Sequence, residues 1–327
     1  MMNPVYRFQV REEEFGTNSV FKLLDTKTGE FVSILPCLGG SINQMTLNNK
    51  GNLIKIMDGY SSIRDAEKNL TSSFKGSNLF PFPNRIADGK YNFNNQVYQL
   101  TLNFPQENNA IHGLLFDEEF KIVDKQDGAT GSMLILEYEA KEAKGYPFRY
   151  YFKTLYRLRE NNGFECEIQV TNLMDHPIPV AHGWHPYFKL GESQINDLQL
   201  QFQAKNILKV DKRNIPTGES ISYNKFNKLT TILDINLDNC FRLSEENERA
   251  ETIIMNKSSD FGYKIWQETG SYKYNYLQIY TPPHRKSIAI EPMTCIPDAF
   301  NNKEGLIILS PSESFSVIWG ITKIEKE

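Results

Sequence analysis

Phe148-Arg149-Tyr150-Tyr151-Phe152-Lys153-Thr154-Leu155-Tyr156-Arg157-Leu158-Arg159, then Glu160-Asn161-Asn162-Gly163, then Phe164-Glu165-Cys166-Glu167-Ile168-Gln169-Val170-Thr171, is the stretch that decides the fold. In its first run the even positions are largely apolar or aromatic, and most odd ones are cationic. In its second, Phe164, Cys166, Ile168 and Val170 alternate with Glu165, Glu167, Gln169 and Thr171. A period of two is the repeat of a strand with one buried face, whereas a helix would bring apolar residues back every three or four positions. The intervening Asn-Asn-Gly is a turn signal, so the stretch reads as an antiparallel hairpin. Its exposed faces carry opposite charge, a favourable cross-strand arrangement.

Working outward, shorter versions recur at residues 91–100 around Asn94-Asn95 and at 21–34 around Asp25-Thr26-Lys27-Thr28-Gly29. Further strands are expected at 133–138, 198–202, 276–280, 287–291 and 315–321. No long amphipathic helix is visible; residues 61–68 read as one short helix with a serine near its start. No Gly/Ser/Pro-rich linker, low-complexity tract or internal repeat marks a boundary. The expected architecture is therefore all-β, one large antiparallel sandwich forming a single domain over residues 1–327.

Composition narrows the function classes. Apolar residues are 40% of the 327, charged residues 23% and aromatics 12%, a profile that can form a sizeable core. A net charge of -4 without any basic stripe argues against nucleic acid as a partner. The start, Met1-Met2-Asn3-Pro4-Val5, has no apolar segment behind a basic one, and no later stretch is apolar for long enough to span a bilayer, so a soluble, cytoplasmic protein is expected. Cys37, Cys166, Cys240 and Cys295 lack the paired spacing of a zinc site or disulfide scaffold and read as reduced, buried thiols.

Titratable groups gather with Gly or Pro in three places: Asn109-Ala110-Ile111-His112-Gly113, Ala181-His182-Gly183-Trp184-His185-Pro186-Tyr187-Phe188, and Ile290-Glu291-Pro292-Met293-Thr294. Such sequences mark strand ends and tight loops, where sites on β scaffolds sit. Taken alone, His112 reads as a hydrogen-bonded turn residue, and His176 and His284 read as exposed turns. Glu291 precedes a proline, which favours an extended backbone and is expected to end the strand. Its apolar neighbours can raise its proton affinity towards working pH. His182 and His185, three apart on a strand, point to opposite faces, and no spacing identifies a third metal ligand. No serine lies in a nucleophile-elbow context.

These motifs, in order, resemble the aldose 1-epimerase family. Phe80-Pro81-Phe82-Pro83-Asn84-Arg85-Ile86-Ala87-Asp88-Gly89-Lys90-Tyr91 followed by Asn109-Ala110-Ile111-His112-Gly113 is similar to its N-terminal signature. His185-Pro186-Tyr187-Phe188 resembles its His-x-Tyr-Phe element, Leu237-Asp238-Asn239-Cys240-Phe241 its sugar-binding aspartate segment, and Ile290-Glu291-Pro292-Met293-Thr294 its catalytic glutamate strand. Leu35-Pro36-Cys37-Leu38-Gly39-Gly40 is similar to its opening Pro-x-x-Gly-Gly turn. The resemblance implies a galactose mutarotase-like β-supersandwich and interconversion of the α and β anomers of a free hexose, with no metal or other cofactor. Glu291 and His185 would be the acid/base pair, Arg85, His112 and Asp238 would bind substrate, and His182 would stand outside the set. The implied partner is a small-molecule sugar, and the chain would be a monomer or homodimer. Relatives acting on hexose 6-phosphates usually place an arginine shortly after the His-Gly; here Leu114-Leu115-Phe116-Asp117 follows. Arg85, Lys189 and Arg285 keep a hexose-6-phosphate 1-epimerase open as the alternative, alongside a non-catalytic carbohydrate-binding module and a cupin-like metalloprotein.

Overall fold

The computed structural model describes residues 6–160, 163–244, 246–257 and 261–325. The deciding hairpin forms as expected. Tyr150–Arg159 pairs antiparallel with Gly163–Asn172, Tyr156 opposite Cys166 and Arg157 opposite Glu165. Of its turn, Asn161 and Asn162 lie outside the described residues, as do the first five residues of the chain. The outer faces pair by charge, Arg157 donating to Glu167 at 2.8 Å and Arg159 standing 3.3 Å from Glu165. The inner faces bury Phe152, Tyr156, Leu158, Phe164, Cys166, Ile168 and Val170.

Those two strands lie in a nine-stranded sheet that also takes in Gly131–Glu139 on one side and Ser314–Glu325, Phe261–Glu268, Arg249–Asn256 and Leu198–Phe202 on the other. A second, eight-stranded sheet runs Pro216–Ser222, Ala204–Val210, Asp238–Leu243, Tyr276–Tyr280, Ile288–Met293, Gly183–His185, Ser77–Leu79, with Tyr187–Phe188 also pairing with Ile288–Met293. A five-stranded meander forms from residues 8–55. The two large sheets meet face to face: Trp184 of the second packs against Trp319 and Tyr156 of the first, ring centroids 6.3 and 6.4 Å apart. One apolar cluster runs through all three sheets. No helix among the described residues is long and apolar enough to cross a membrane.

Two local expectations need correction. The helix expected at 61–68 runs Ile63–Ser73. Ser62 caps it by accepting the Asp65 amide, as its position implies. The last turn, Asn69-Leu70-Thr71-Ser72-Ser73, lacks strong helix formers, but Leu70 is buried below Ala66 and the Ser72 and Ser73 hydroxyls fold back onto the Asn69 carbonyl. The strand expected to end at Glu291 instead continues through Pro292 to Met293. The amides of Ile290 and Thr294 reach the carbonyls of Pro186 and His182. A residue 292 amide would point to that same flank, where the neighbour is already split into Gly183–His185 and Tyr187–Phe188. Proline thus removes no bond from the ladder to Tyr276–Tyr280.

Because Phe152 is fully buried where the sheets meet, Phe152→Ala should leave an unfilled cavity and cost ~3–5 kcal/mol of unfolding free energy. Chemical denaturation of the two proteins measures it.

Candidate active site

The eight-stranded sheet presents one face to the shared core and the other to a cleft, and strand alternation decides which side chains reach each. Along Ile288–Met293, Ile288 and Ile290 join the main core. Glu291 therefore points the other way, almost completely buried at the floor of the cleft. Gln278 lies opposite it in register on the next strand, and Asp238, opposite Tyr280 on the strand beyond, accepts from the Gln278 amide at 2.8 Å. On the other flank the short strand Gly183–His185 delivers His185, whose Nε2 stands 3.5 Å from Glu291 Oε1.

The opposite wall comes from a two-stranded ladder in which Arg85–Ala87 pairs with Asn109–Ile111, Arg85 opposite Ile111. Immediately after it, His112 takes a left-handed backbone, φ 63°. Its amide donates to the Asn84 carbonyl at 2.9 Å, and the Asn84 amide donates to its Nδ1 at 3.3 Å. With Nδ1 an acceptor, the neutral ring carries its proton on Nε2. The next residue, Gly113, also has positive φ, and a Cβ there would sit 2.2 Å from the Phe80 carbonyl oxygen. Only glycine passes that point. Phe74, the left-handed residue ending the 63–73 helix, sets its ring 4.7 Å from that of His112, and His112 in turn meets His185 edge-on at 5.0 Å. Tyr187 stacks on His185 at 5.0 Å.

Burial governs the electrostatics. Desolvation, with help from Asp238 and against Arg85, pushes the Glu291 carboxyl well above its usual range. Desolvation lowers His185 to about 4. His112 is likewise held well below its usual value by burial, and by His185 and Arg85. Asp238 stands at the solvent-facing rim, yet crowding by protein raises it, Arg85 opposing that and Glu107 adding to it. No protein group bonds Glu291 Oε2 or His185 Nδ1. At 3.5 Å the two side chains do not satisfy each other either.

All five expected residues, Arg85, His112, His185, Asp238 and Glu291, line one cavity of about 270 Å³, together with Ser72, Ser73, Phe74, Asn84, Phe104, Ile111, Glu107, Tyr187, Gln278 and Tyr280. A larger groove between Asn92 and Ile308 gathers no comparable set of titratable groups. His182 is fully buried away from the cleft, its Nε2 donating to Asn78 at 2.7 Å and its Nδ1 accepting from the Tyr274 hydroxyl at 2.9 Å. Trp184, between the two histidines, is fully buried in the core. Lys189 reaches towards Glu192, and Arg285 is held by Asn196, Asn236 and nearby carbonyls; neither lines the cleft. His176 and His284 sit in turns, also outside it. Sequence reasoning missed Asn84, Glu107 and Gln278. Among the described residues, no three His, Cys, Asp or Glu side chains gather so as to hold a metal ion.

A family model, Aldose 1-epimerase, matches residues 22–321. The chain belongs to the aldose 1-epimerase family. It is 28% identical over 257 residues to the uncharacterized protein YihR of Escherichia coli (strain K12), covering 76% of this chain and 80% of that one. To the aldose 1-epimerase of the same organism it is 29% identical over 150 residues, 44% of this chain and 41% of that protein. A galactose mutarotase-like protein from Clostridium acetobutylicum superposes with a TM-score of 0.86 at 22% identity, covering 98% of this chain and 99% of that one. Galactose 1-epimerase from Lactobacillus acidophilus NCFM does so with a TM-score of 0.78 at 20% identity, covering 99% and 100%. The expected galactose mutarotase-like fold of the epimerase family is therefore the fold observed.

The buried carboxyl has a consequence for stability. Its folded pKa lies above its unfolded value of ~4.3, so the folded state retains the proton more tightly. The stability this gives is fully present below the unfolded pKa and is lost as pH rises towards the folded one. Glu291→Gln, neutral at every pH, should match the wild type at pH 4 and exceed it in Tm at pH 8. Thermal unfolding at both pH values checks the widening gap.

Proposed function

We propose that the chain is an aldose 1-epimerase acting on a free hexose, with Glu291 and His185 as its acid/base pair. The observation that supports this most is that the pair is buried, 3.5 Å apart, at the floor of a sugar-sized cleft, with its remaining polar atoms unbonded to protein. Binding alone does not require two such groups side by side, which favours the enzyme over a carbohydrate-binding module. The continuous core supports reading the chain as a single domain; the proposal also takes it to be cytoplasmic, as a monomer or homodimer.

The chemistry needs one proton shared between the two groups. With Glu291 ionised and His185 protonated, the carboxylate takes the proton of the C1 hydroxyl while the imidazolium gives one to the ring oxygen, and the C1–O5 bond breaks. The open-chain aldehyde turns about C1–C2 and closes on its other face with the two roles exchanged. The pair ends ring opening as Glu291-COOH and neutral His185. Burial favours this form, raising one group and lowering the other. The ionic form is correspondingly a stronger base beside a stronger acid. His112, neutral with its proton on Nε2, and Arg85 would donate to sugar oxygens, and Asp238 would accept from hydroxyls. Each proton transfer by a positioned group contributes ~10²–10⁴-fold.

Freshly dissolved α-glucose or α-galactose should reach anomeric equilibrium faster with the protein than in buffer, as polarimetry records directly; no acceleration across neutral aldoses would remove the enzymatic reading. Glu291→Gln and His185→Asn should each lower kcat by at least ~10²-fold. The double variant should be far less impaired than their product implies, because the two act in one exchange. kcat/KM should fall as pH drops towards about 4, where His185 takes up a second proton for the pair.

A further inference from the structure

We propose that Glu107, a residue with no part in the acid/base exchange, sets the substrate class by keeping phosphorylated and other anionic sugars out of the cleft. The inference rests on the epimerase reading and adds a specificity device to it. Glu107 closes a single turn of 3-10 helix, residues 105–107, just before the strand Asn109–Ile111. Both its carboxylate oxygens face Arg85, Nε donating to Oε2 at 2.7 Å and one terminal nitrogen to Oε1 at 3.4 Å. The other terminal nitrogen donates to Asn84 Oδ1 at 3.1 Å. Three of the five guanidinium N–H groups are thereby engaged, in a geometry that leaves the remaining two for neutral hydroxyls.

Arg85 is the one arginine or lysine among the described residues that line the cleft, and Glu107 neutralises it face to face. The remaining carboxyl groups of the lining are Asp238 and the protonated Glu291, neither of which offers a positive charge. Arg213, near the rim, is committed to Asp88 and Asn109, and Lys75, next to the wall residue Phe74, to Asp58. A dianionic phosphate entering this cleft would meet two or three carboxyl groups and an arginine whose fork is occupied. A carboxylate built beside the binding arginine is the repulsive half of specificity, the half that rejects a competitor instead of gripping the preferred ligand. The Glu107 side chain is itself fixed, its Oε2 also accepting from Asn109 Nδ2 at 3.4 Å, so it cannot swing clear without breaking this set.

Anomeric exchange measured by NMR saturation transfer at equilibrium tests the proposal on glucose and galactose against their 6-phosphates. Wild type should exchange the neutral sugars and leave the phosphates at the buffer rate, and saturation-transfer-difference spectra should show the same order in binding. Glu107→Gln should raise the phosphate-to-neutral ratio of kcat/KM by about tenfold or more. Raising salt from low to high should improve the wild type on phosphates and barely touch neutral sugars, since only the repulsion is screened; this arm stands even where the variant does not fold. Wild type handling phosphates as well as neutral sugars, a ratio unmoved in Glu107→Gln, or salt-independent exclusion would each overturn the proposal while leaving the epimerase reading intact. Failure of every sugar to exchange, with neutral sugars still bound in preference to phosphates, would instead overturn the epimerase reading and keep Glu107 in its role.

Discussion

A carboxyl group sits in the middle of an interior strand of an eight-stranded sheet, and the rest of the structure is arranged around tolerating it. Burying an ionised carboxylate without a close partner is costly, so such a group moves towards its neutral form. The nearest cation, Arg85, is engaged with Glu107, and the nearest imidazole is itself desolvated. Both members of the Glu291–His185 pair are thus held where neither is at ease with its charge. The sheet meets this requirement through strand alternation alone: Ile288 and Ile290 anchor one face in the core, and their neighbour on the other face has nowhere to go but the cleft floor.

The reach of the sequence follows the range of the forces that act. The Phe148–Thr171 hairpin was legible because its signal is local: apolar alternation, a turn, and opposite charges on facing strands. The gathering of Arg85, His112, His185, Asp238 and Glu291 in one cleft was legible only from the order of motifs that resemble the family's. His182 and His185 were also separable, since the expectation that they point to opposite faces matches one in the core and one in the cleft. Gln278 could have been flagged as the lone amide in Tyr276-Leu277-Gln278-Ile279-Tyr280, on the face opposite Leu277 and Ile279. Glu107 could not. Its place depends on the pairing of residues 85–87 with 109–111, a non-local contact that no period in the sequence announces. The passage of the strand carrying Glu291 through Pro292 was misread for a similar reason. Whether a proline ends a strand depends on which neighbour its missing amide would have faced, and that neighbour lies about a hundred residues away.

The cleft divides into parts with different physical characters. Its floor, with the proposed acid/base pair, belongs to the central sheet, whose other face is packed against the core. Its walls are loops and element ends: Ser72 to Phe74 at a helix terminus, Asn84 and Arg85 leaving a proline-rich segment, Glu107 on a single 3-10 turn. In the proposed mechanism the sheet carries the chemistry and the rim the choice of ligand, so one can change without the other.

Phe74, Asn84 and His112 all line the cleft with left-handed backbones, φ 48°, 56° and 63°. That conformation admits glycine and asparagine readily and most other side chains at a cost. Anyone diversifying this pocket by random mutagenesis will therefore find these three positions narrow in what they accept. Libraries aimed at new sugars will be richer in folded members when variation is placed at Ser72, Ser73, Phe104 and Tyr280, where the backbone imposes no such filter.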